Sequence, residues 1–348
     1  MDFTPSEEQT AAQGLAARIF GDLSTHERLV AAGTGTDAGL WKELCTAGLP
    51  GAVEDIGLLG LVLLLEEQGR STAQVPLAAT CVYGLLAVAE HGTREQRERL
   101  LPALRDGTAV ATGAFPARGG VRAVDGALYG AVPWVPWLRD ATHVLVADAE
   151  RGLWIVDTRA PGVTVVAVET TAPWSAGRLG LDGVRGEPLG TGPGACAAVL
   201  AVGRTAFAGL QAGVCAGSLA RAVQHTTTRE QFGRPLSTNQ GVLLRAADAH
   251  MDTEAIRVTA YEAAWRRDRQ LDHEAQALTA AWWGSEAGRR VVHAGQHLHG
   301  GTGADLDHPV HRHFLWGRQL DAYLGCGAEL LEELGLLIAG ESREEGVS

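Results

Sequence analysis

Two stretches of this chain combine side chains and backbone suited to gripping a phosphorylated ligand: Arg229-Glu-Gln-Phe-Gly-Arg-Pro-Leu and His297-Leu-His-Gly-Gly-Thr-Gly. In the first, Arg229 stays charged at any accessible pH and sits close to Phe232, a pairing that suits a pyrophosphate beside a planar ring. The same residues also read as a helix end, with Gly233 able to form a left-handed cap and Pro235 blocking continuation. In the second, Gly300, Gly301 and Gly303 leave a backbone that can approach a phosphate closely and offer its amides.

Half of the 12 histidines crowd into the same region: His293, His297, His299, His308, His311 and His313. His293 and His297 would share a helix face at i and i+4, the spacing of a two-histidine metal site. No Glu or Cys accompanies them in ligand spacing, so no metal is expected, and these histidines read as interface or polar-core residues.

The elements that must position these motifs follow from local signals. Thr4-Pro-Ser-Glu7 predicts a helix from about residue 5, with Thr4 as cap and proline at the first helical position. Apolar spacing predicts further helices near 37–47, 56–69 and 76–106. Between about 108 and 202, valine-rich runs broken by Asp125-Gly126, Arg151-Gly152 and Pro161-Gly162 read as strands joined by tight turns. Long helices return from Arg204, the first over about 204–228. On it Gly209, Gly213 and Gly217 form a smooth stripe, predicting close packing against a neighbouring helix.

At 348 residues, with 46% hydrophobic and 20% charged residues, the chain can bury a large core. A formal net charge of -12 argues against a nucleic-acid partner. The five cysteines are scattered and never form CxxC, so a reducing cytoplasm is expected, with neither a disulfide framework nor a zinc site. The opening residues carry no basic region followed by an apolar core, so no secretion signal is expected, and the apolar run from Gly57 to Leu65 is too short to span a membrane. No membrane association is expected.

With these motifs in order, the chain resembles the acyl-CoA dehydrogenase family over nearly its whole length. The resemblance rests on Arg204 opening the long helix, Arg229-Glu-Gln-Phe-Gly closing it, the Gly300-Gly301-Thr302-Gly303 loop, and Trp134 in the β region. It implies an α+β fold of three parts: an N-terminal helical domain over 1–107, a middle β-barrel-like domain over 108–202, and a C-terminal four-helix bundle over 203–348. It also implies FAD as cofactor and removal of an α proton by a glutamate, because so weakly acidic a proton needs a positioned acceptor.

That glutamate is missing. The resemblance places it either at Leu324, within Tyr323-Leu-Gly-Cys, or at Gly203, before Arg204, and neither residue can accept a proton. No catalytic residue is therefore expected in this chain. Glu329, Glu332 and Glu333 lie beyond the motif and read as a solvated helix face. Losses extend to the isoalloxazine contacts: Ala114-Phe115-Pro116 and Trp134-Val135-Pro136 stand where relatives carry threonines, and Cys326 replaces a third.

The residues implied to hold the pyrophosphate and adenine of a neighbour's FAD are retained: Arg229, Gln231, Phe232, His297, Gly300, Gly301 and Gly303. His297 stands where the family usually has glutamine. This asymmetry, the short segment at Leu49-Pro50-Gly51 and the His-Leu-His-Gly-Gly spelling resemble the base-lacking subunit of α2β2 heterotetrameric acyl-CoA dehydrogenases of steroid side-chain oxidation. The resemblance implies a catalytic partner subunit that binds most of the acyl-CoA and shares FAD with this chain. Two other readings are a homotetrameric flavoprotein with a different base and a relative that has lost the flavin.

Overall fold

The computed structural model describes residues 2–116, 120–190 and 192–345. Its elements run helical, then β, then helical, in the α+β order expected. Contacts divide the chain into two compact units, one of Met1–Gly21, Leu58–Ala73 and Arg204–Ser348, the other of Asp22–Gly57 and Gln74–Gly203.

In the second unit eight strands follow one another: β1 Ala111–Ala114, β2 Val121–Val124, β3 Ala127–Val135, β4 His143–Ala147, β5 Leu153–Asp157, β6 Val163–Ala167, β7 Gly177–Arg185 and β8 Glu187–Leu189. They form two four-stranded sheets, ordered β1-β4-β5-β8 and β2-β3-β7-β6. Every pairing is antiparallel except β1 with β4. Asp125-Gly126 makes the β2–β3 hairpin with positive φ at both residues, the geometry whose twist matches the strands it joins. Leu128, Val132 and Val135 of β3 bury one face in a core shared with Val144, Val146, Leu179 and Val184.

Helix boundaries depart from expectation in four places. Ser6, not Thr4, caps the first helix, Glu7–Leu23: the Gln9 N–H donates to Ser6 Oγ while the Ser6 N–H donates to Gln9 Oε1. This reciprocal box satisfies two helix-end donors, and Thr4 is turned instead toward Asp2. The predicted helix over 76–106 is broken at Gly92, where Thr93 and Gln96 form a second capping box opening Arg94–Arg105. A short helix, His26–Ala32, was not expected at all. The long helix opens at Pro193 rather than near 204, because residues 194–203 continue its buried apolar face without punctuation, and a short apolar run does not distinguish strand from helix.

In the first unit the glycine stripe lies against the helix Leu49–Ser71. A Cβ on Gly209 would stand 2.8 Å from Val62 Cγ1, and one on Gly213 or Gly217 would run into the carbonyl oxygens of Glu66 and Arg70. Gly69 returns the fit: a Cβ there would come within 2.7 Å of the Val214 nitrogen. At Gly69, Gly213 and Gly217 the two backbones thus pack directly on each other. The helix Leu49–Ser71 is interrupted at Gly57, with φ 73°, and its second half restarts with Leu58 and Leu59 donating their N–H groups to Asp268 at 2.8 and 2.9 Å. Asp268 supplies the cap from another helix.

The helix Pro193–Thr228 is long and apolar enough to cross a membrane, yet 83% of its most apolar window is buried inside the protein, as befits a core helix.

Candidate functional site

The ends of two helices, Pro193–Thr228 and Glu274–His299, carry the two motifs into one groove of about 530 Å³. The Arg229 N–H still donates to the His225 carbonyl at 2.8 Å, so its side chain leaves from the last helical turn. Its carbonyl accepts from the Leu236 N–H at 2.9 Å, closing a hairpin in which Glu230–Gln231 pairs with Arg234–Pro235. Phe232 and Gly233 form the turn with φ of 55° and 75°. Glycine adopts that conformation freely, whereas an aromatic residue is held in it at a cost of roughly 1–3 kcal/mol.

At the other helix end, Gly300 has φ 63° and its N–H donates to the His297 carbonyl. Space around Gly300 and Gly301 is open to 4 Å, which leaves their backbone accessible, while Gly303 is packed inward against Gln296. The groove therefore gathers Arg229, Gln231, His297, Gly300 and Gly301. Of the other two expected residues, Phe232 is 99% exposed at the hairpin tip and Gly303 is buried behind the loop.

His225, Leu236, Val242, Leu298, His299 and Thr302 complete the lining; none was expected as a ligand contact, His299 having been read as an interface or polar-core residue. A signal existed for two of them: His225 precedes Arg229 by one helical turn, and His299 adjoins the glycine loop. His293 does not join His297. It contacts Phe314 edge to face at 4.9 Å and lines a different hollow, with Arg289, Arg290 and Arg318. Among the described residues no cluster of three or more His, Cys, Asp or Glu could hold a metal ion.

The lining of the groove is cationic or neutral, with no carboxylate among its side chains. Burial pushes His225 below the ordinary histidine range, and nearby His299 and Arg229 push it further. A guanidinium, imidazoles, a carboxamide and open glycine backbone suit the oxygens of a pyrophosphate, and Leu236 and Val242 add apolar surface for a planar ring. The donor set fits the phosphate half of FAD.

The two positions expected for a base, Leu324 and Gly203, are both closely bordered. Leu324 is 5% exposed at the end of the helix Val310–Leu324, and its Cδ1 would lie 2.9 Å from a Cβ on Gly284. It is a packing residue of the helical bundle. Gly325 and Cys326 then turn the chain with φ of 113° and 58°. In the other unit Tyr83 borders Gly203, and its ring contacts Phe115 at 5.3 Å. Thr112 Oγ donates to the Pro136 carbonyl at 2.5 Å, pinning the residues after β3 to β1. Of the three terminal glutamates, Glu333 is not simply solvated: Arg204 donates to both its carboxylate oxygens, at 2.9 and 2.5 Å.

Residues 190–334 match the family model described as acyl-CoA dehydrogenase, C-terminal domain. Acyl-CoA dehydrogenase FadE27 of Mycobacterium tuberculosis is 32% identical, over 97% of this chain and 99% of the relative. The chain belongs to the acyl-CoA dehydrogenase family. Two solved structures of the family are similar throughout. One is the Tcur3481-Tcur3483 steroid ACAD, with 42% identity, a TM-score of 0.92 and coverage of 97% of this chain and 99% of that one. The other is the ChsE4-ChsE5 complex from Mycobacterium tuberculosis, with 29% identity, a TM-score of 0.90 and the same coverage. Acyl-CoA dehydrogenases generally bind FAD and act on a CH–CH bond, and the order of helices and sheets described above is their fold.

Proposed function

We propose that this chain is the non-catalytic, FAD-sharing subunit of an α2β2 acyl-CoA dehydrogenase that introduces an α,β double bond into a steroid side-chain CoA thioester. The observation that carries this reading is a contrast within one chain. The groove holding Arg229, Gln231, His297, Gly300 and Gly301 keeps its donors, while Leu324, at a base position, is buried in the bundle. Two of the solved neighbours similar over the full length, at 42% and 29% identity, are named as pairs of proteins, which supports a partner of the same family.

In this reading FAD supplies hydride acceptance when bound, and the partner supplies the glutamate and most of the acyl-CoA site. This chain contributes binding and orientation. Arg229 and the amides after His299 would hold the pyrophosphate, and Phe232 would pack on a surface outside its own fold, which accounts for an aromatic ring 99% exposed on a constrained turn. Leu244, Met251 and Val258 recur every seventh residue of the helix Gln240–Asp268 and are 57%, 64% and 50% exposed, an apolar stripe suited to a partner subunit. The division at 107/108 and 202/203 into helical, β and helical domains belongs to the same proposal, as does a cytoplasmic setting in which all five cysteines stay free.

Arg229→Ala tests the groove. Removing a charge-assisted contact worth roughly 1.5–3 kcal/mol should leave the co-expressed complex assembled but depleted of flavin. A variant complex with unchanged flavin absorbance per protein would overturn the assignment.

A further inference from the structure

Three imidazoles stand in series at this groove. His225 stacks on His299 with ring centroids 4.8 Å apart and 25° between planes, and His299 meets His308 at 5.1 Å and 59°. His225 and His299 line the groove itself. The His299 Nδ1–H donates to the Gly295 carbonyl at 2.7 Å, which leaves its Nε2 as the nitrogen able to gain a proton. His308 Nδ1 accepts the Val310 N–H at 3.3 Å.

The charged and titratable groups facing this stack come from every element around it. The helix Pro193–Thr228 brings Arg221 and Arg229, the helix Glu274–His299 brings His297, the loop brings Asp305, and the helix Val310–Leu324 brings His313 beside Arg221. Asp305 acts on it at His308 with the opposite sign to these cations. Burial, then the neighbouring imidazole and arginine groups, push His225 and His308 toward the neutral form. A neutral ring offers each ligand oxygen either a donor or a repelling lone pair. Protonation converts the lone pair into a second donor, and a phosphate supplies the counter-charge the stack lacks.

We propose that His225 and His299 are ligand-binding residues of this groove and that a phosphate-bearing ligand enters it with uptake of a proton by the histidine stack. The proposal rests on the reading of the groove as a pyrophosphate site. The sign follows from linkage: a group whose proton affinity is raised by the ligand makes binding tighter as pH falls, by up to about tenfold per pH unit for each proton gained.

The test is calorimetric titration of FAD into the flavin-stripped complex of this chain with its partner, at about pH 7, in two buffers of different ionisation enthalpy. The pyrophosphate diester of FAD does not titrate near neutrality, so a proton taken up belongs to protein. The wild-type complex should gain about one proton per FAD, and His225→Gln, a half-buried position that tolerates an amide, should lose most of that uptake while still binding. FAD binding with no uptake, or with equal uptake in wild type, His225→Gln and His299→Gln, overturns the proposal and leaves the groove assignment standing. A complex that takes up no FAD overturns both.

Discussion

The hydroxyl of Tyr83 lies 3.0 Å from the point where a side chain at Gly203 would begin. That glycine is one of the two positions at which the resemblance implies a base, and a side chain added there would press on the Tyr83 hydroxyl. Gly203→Glu should destabilise the chain by about 1–3 kcal/mol, because the inserted atoms must displace a buried ring. A double-mutant cycle with Tyr83→Ala checks this, with a favourable coupling of more than 0.5 kcal/mol expected for residues in contact.

Leu324→Glu is the other way to restore a base, and it should fail differently. The new carboxylate would replace a buried leucine packed at Gly284. A loss of roughly 3–5 kcal/mol in denaturant unfolding, with no dehydrogenation at the position, is the expected outcome.

Gly213 should not tolerate even alanine. A Cβ there collides with the Glu66 carbonyl, a backbone atom that cannot rotate away, so separating the helices is the only relief. Gly213→Ala is expected to cost about 3 kcal/mol, and Gly14→Ala, on an open helix face, to be neutral or slightly stabilising; paired thermal melts distinguish them.

Next to that glycine, Glu66 is 1% exposed and accepts from Arg257 Nε at 3.1 and 3.2 Å. Arg257→Met should destabilise by up to about 3–5 kcal/mol, since it takes the nearest cation from a buried carboxylate and leaves it only Arg70 at 3.9 Å and Tyr261 among its described partners. Combining it with Glu66→Leu should recover most of that loss, because the cost lies in a buried charge that has lost its nearest counter-charge; a double mutant as unstable as the single one would contradict this.

His313 makes stability pH-dependent. It is 1% exposed, its Nε2 faces the Arg70 carbonyl at 2.9 Å, and burial, followed by nearby Arg221, holds its pKa down to about 4. The unfolded chain takes up this proton near the usual histidine value of 6.5 and the folded chain does not. The contribution is therefore fully present above 6.5 and declines as pH falls toward 4, by an amount on the order of 3 kcal/mol. Unfolding curves of His313→Gln should be flatter over that window than those of the wild type.

The fold was legible where its causes are local. Alternating valines and Asp125-Gly126 announce the β2–β3 hairpin, and Gly209, Gly213 and Gly217 announce a close helix contact without naming the partner. What stayed hidden depends on distant residues: Asp268 caps a helix 210 positions earlier in the chain, and no spacing rule reaches that far. Thr4 and Ser6 compete as caps within three residues, and only the reciprocal bond with Gln9 decides between them. Within the groove, Arg229 and the glycine loop were readable as phosphate ligands, whereas His225 was marked only by lying one helical turn before Arg229, and its place in the groove arises from a helix end brought against it by tertiary packing. Leu324 was readable as unable to accept a proton; that it faces the bundle interior was not.

The central claim is that this chain lends half of a flavin site and lacks its own. Light scattering after size exclusion, read together with flavin absorbance, tests it on the chain alone and on the chain co-expressed with a glutamate-bearing acyl-CoA dehydrogenase subunit. The account predicts a chain without flavin by itself and an α2β2 complex with about one FAD per heterodimer. A homo-oligomer of this chain carrying one FAD per subunit would contradict it.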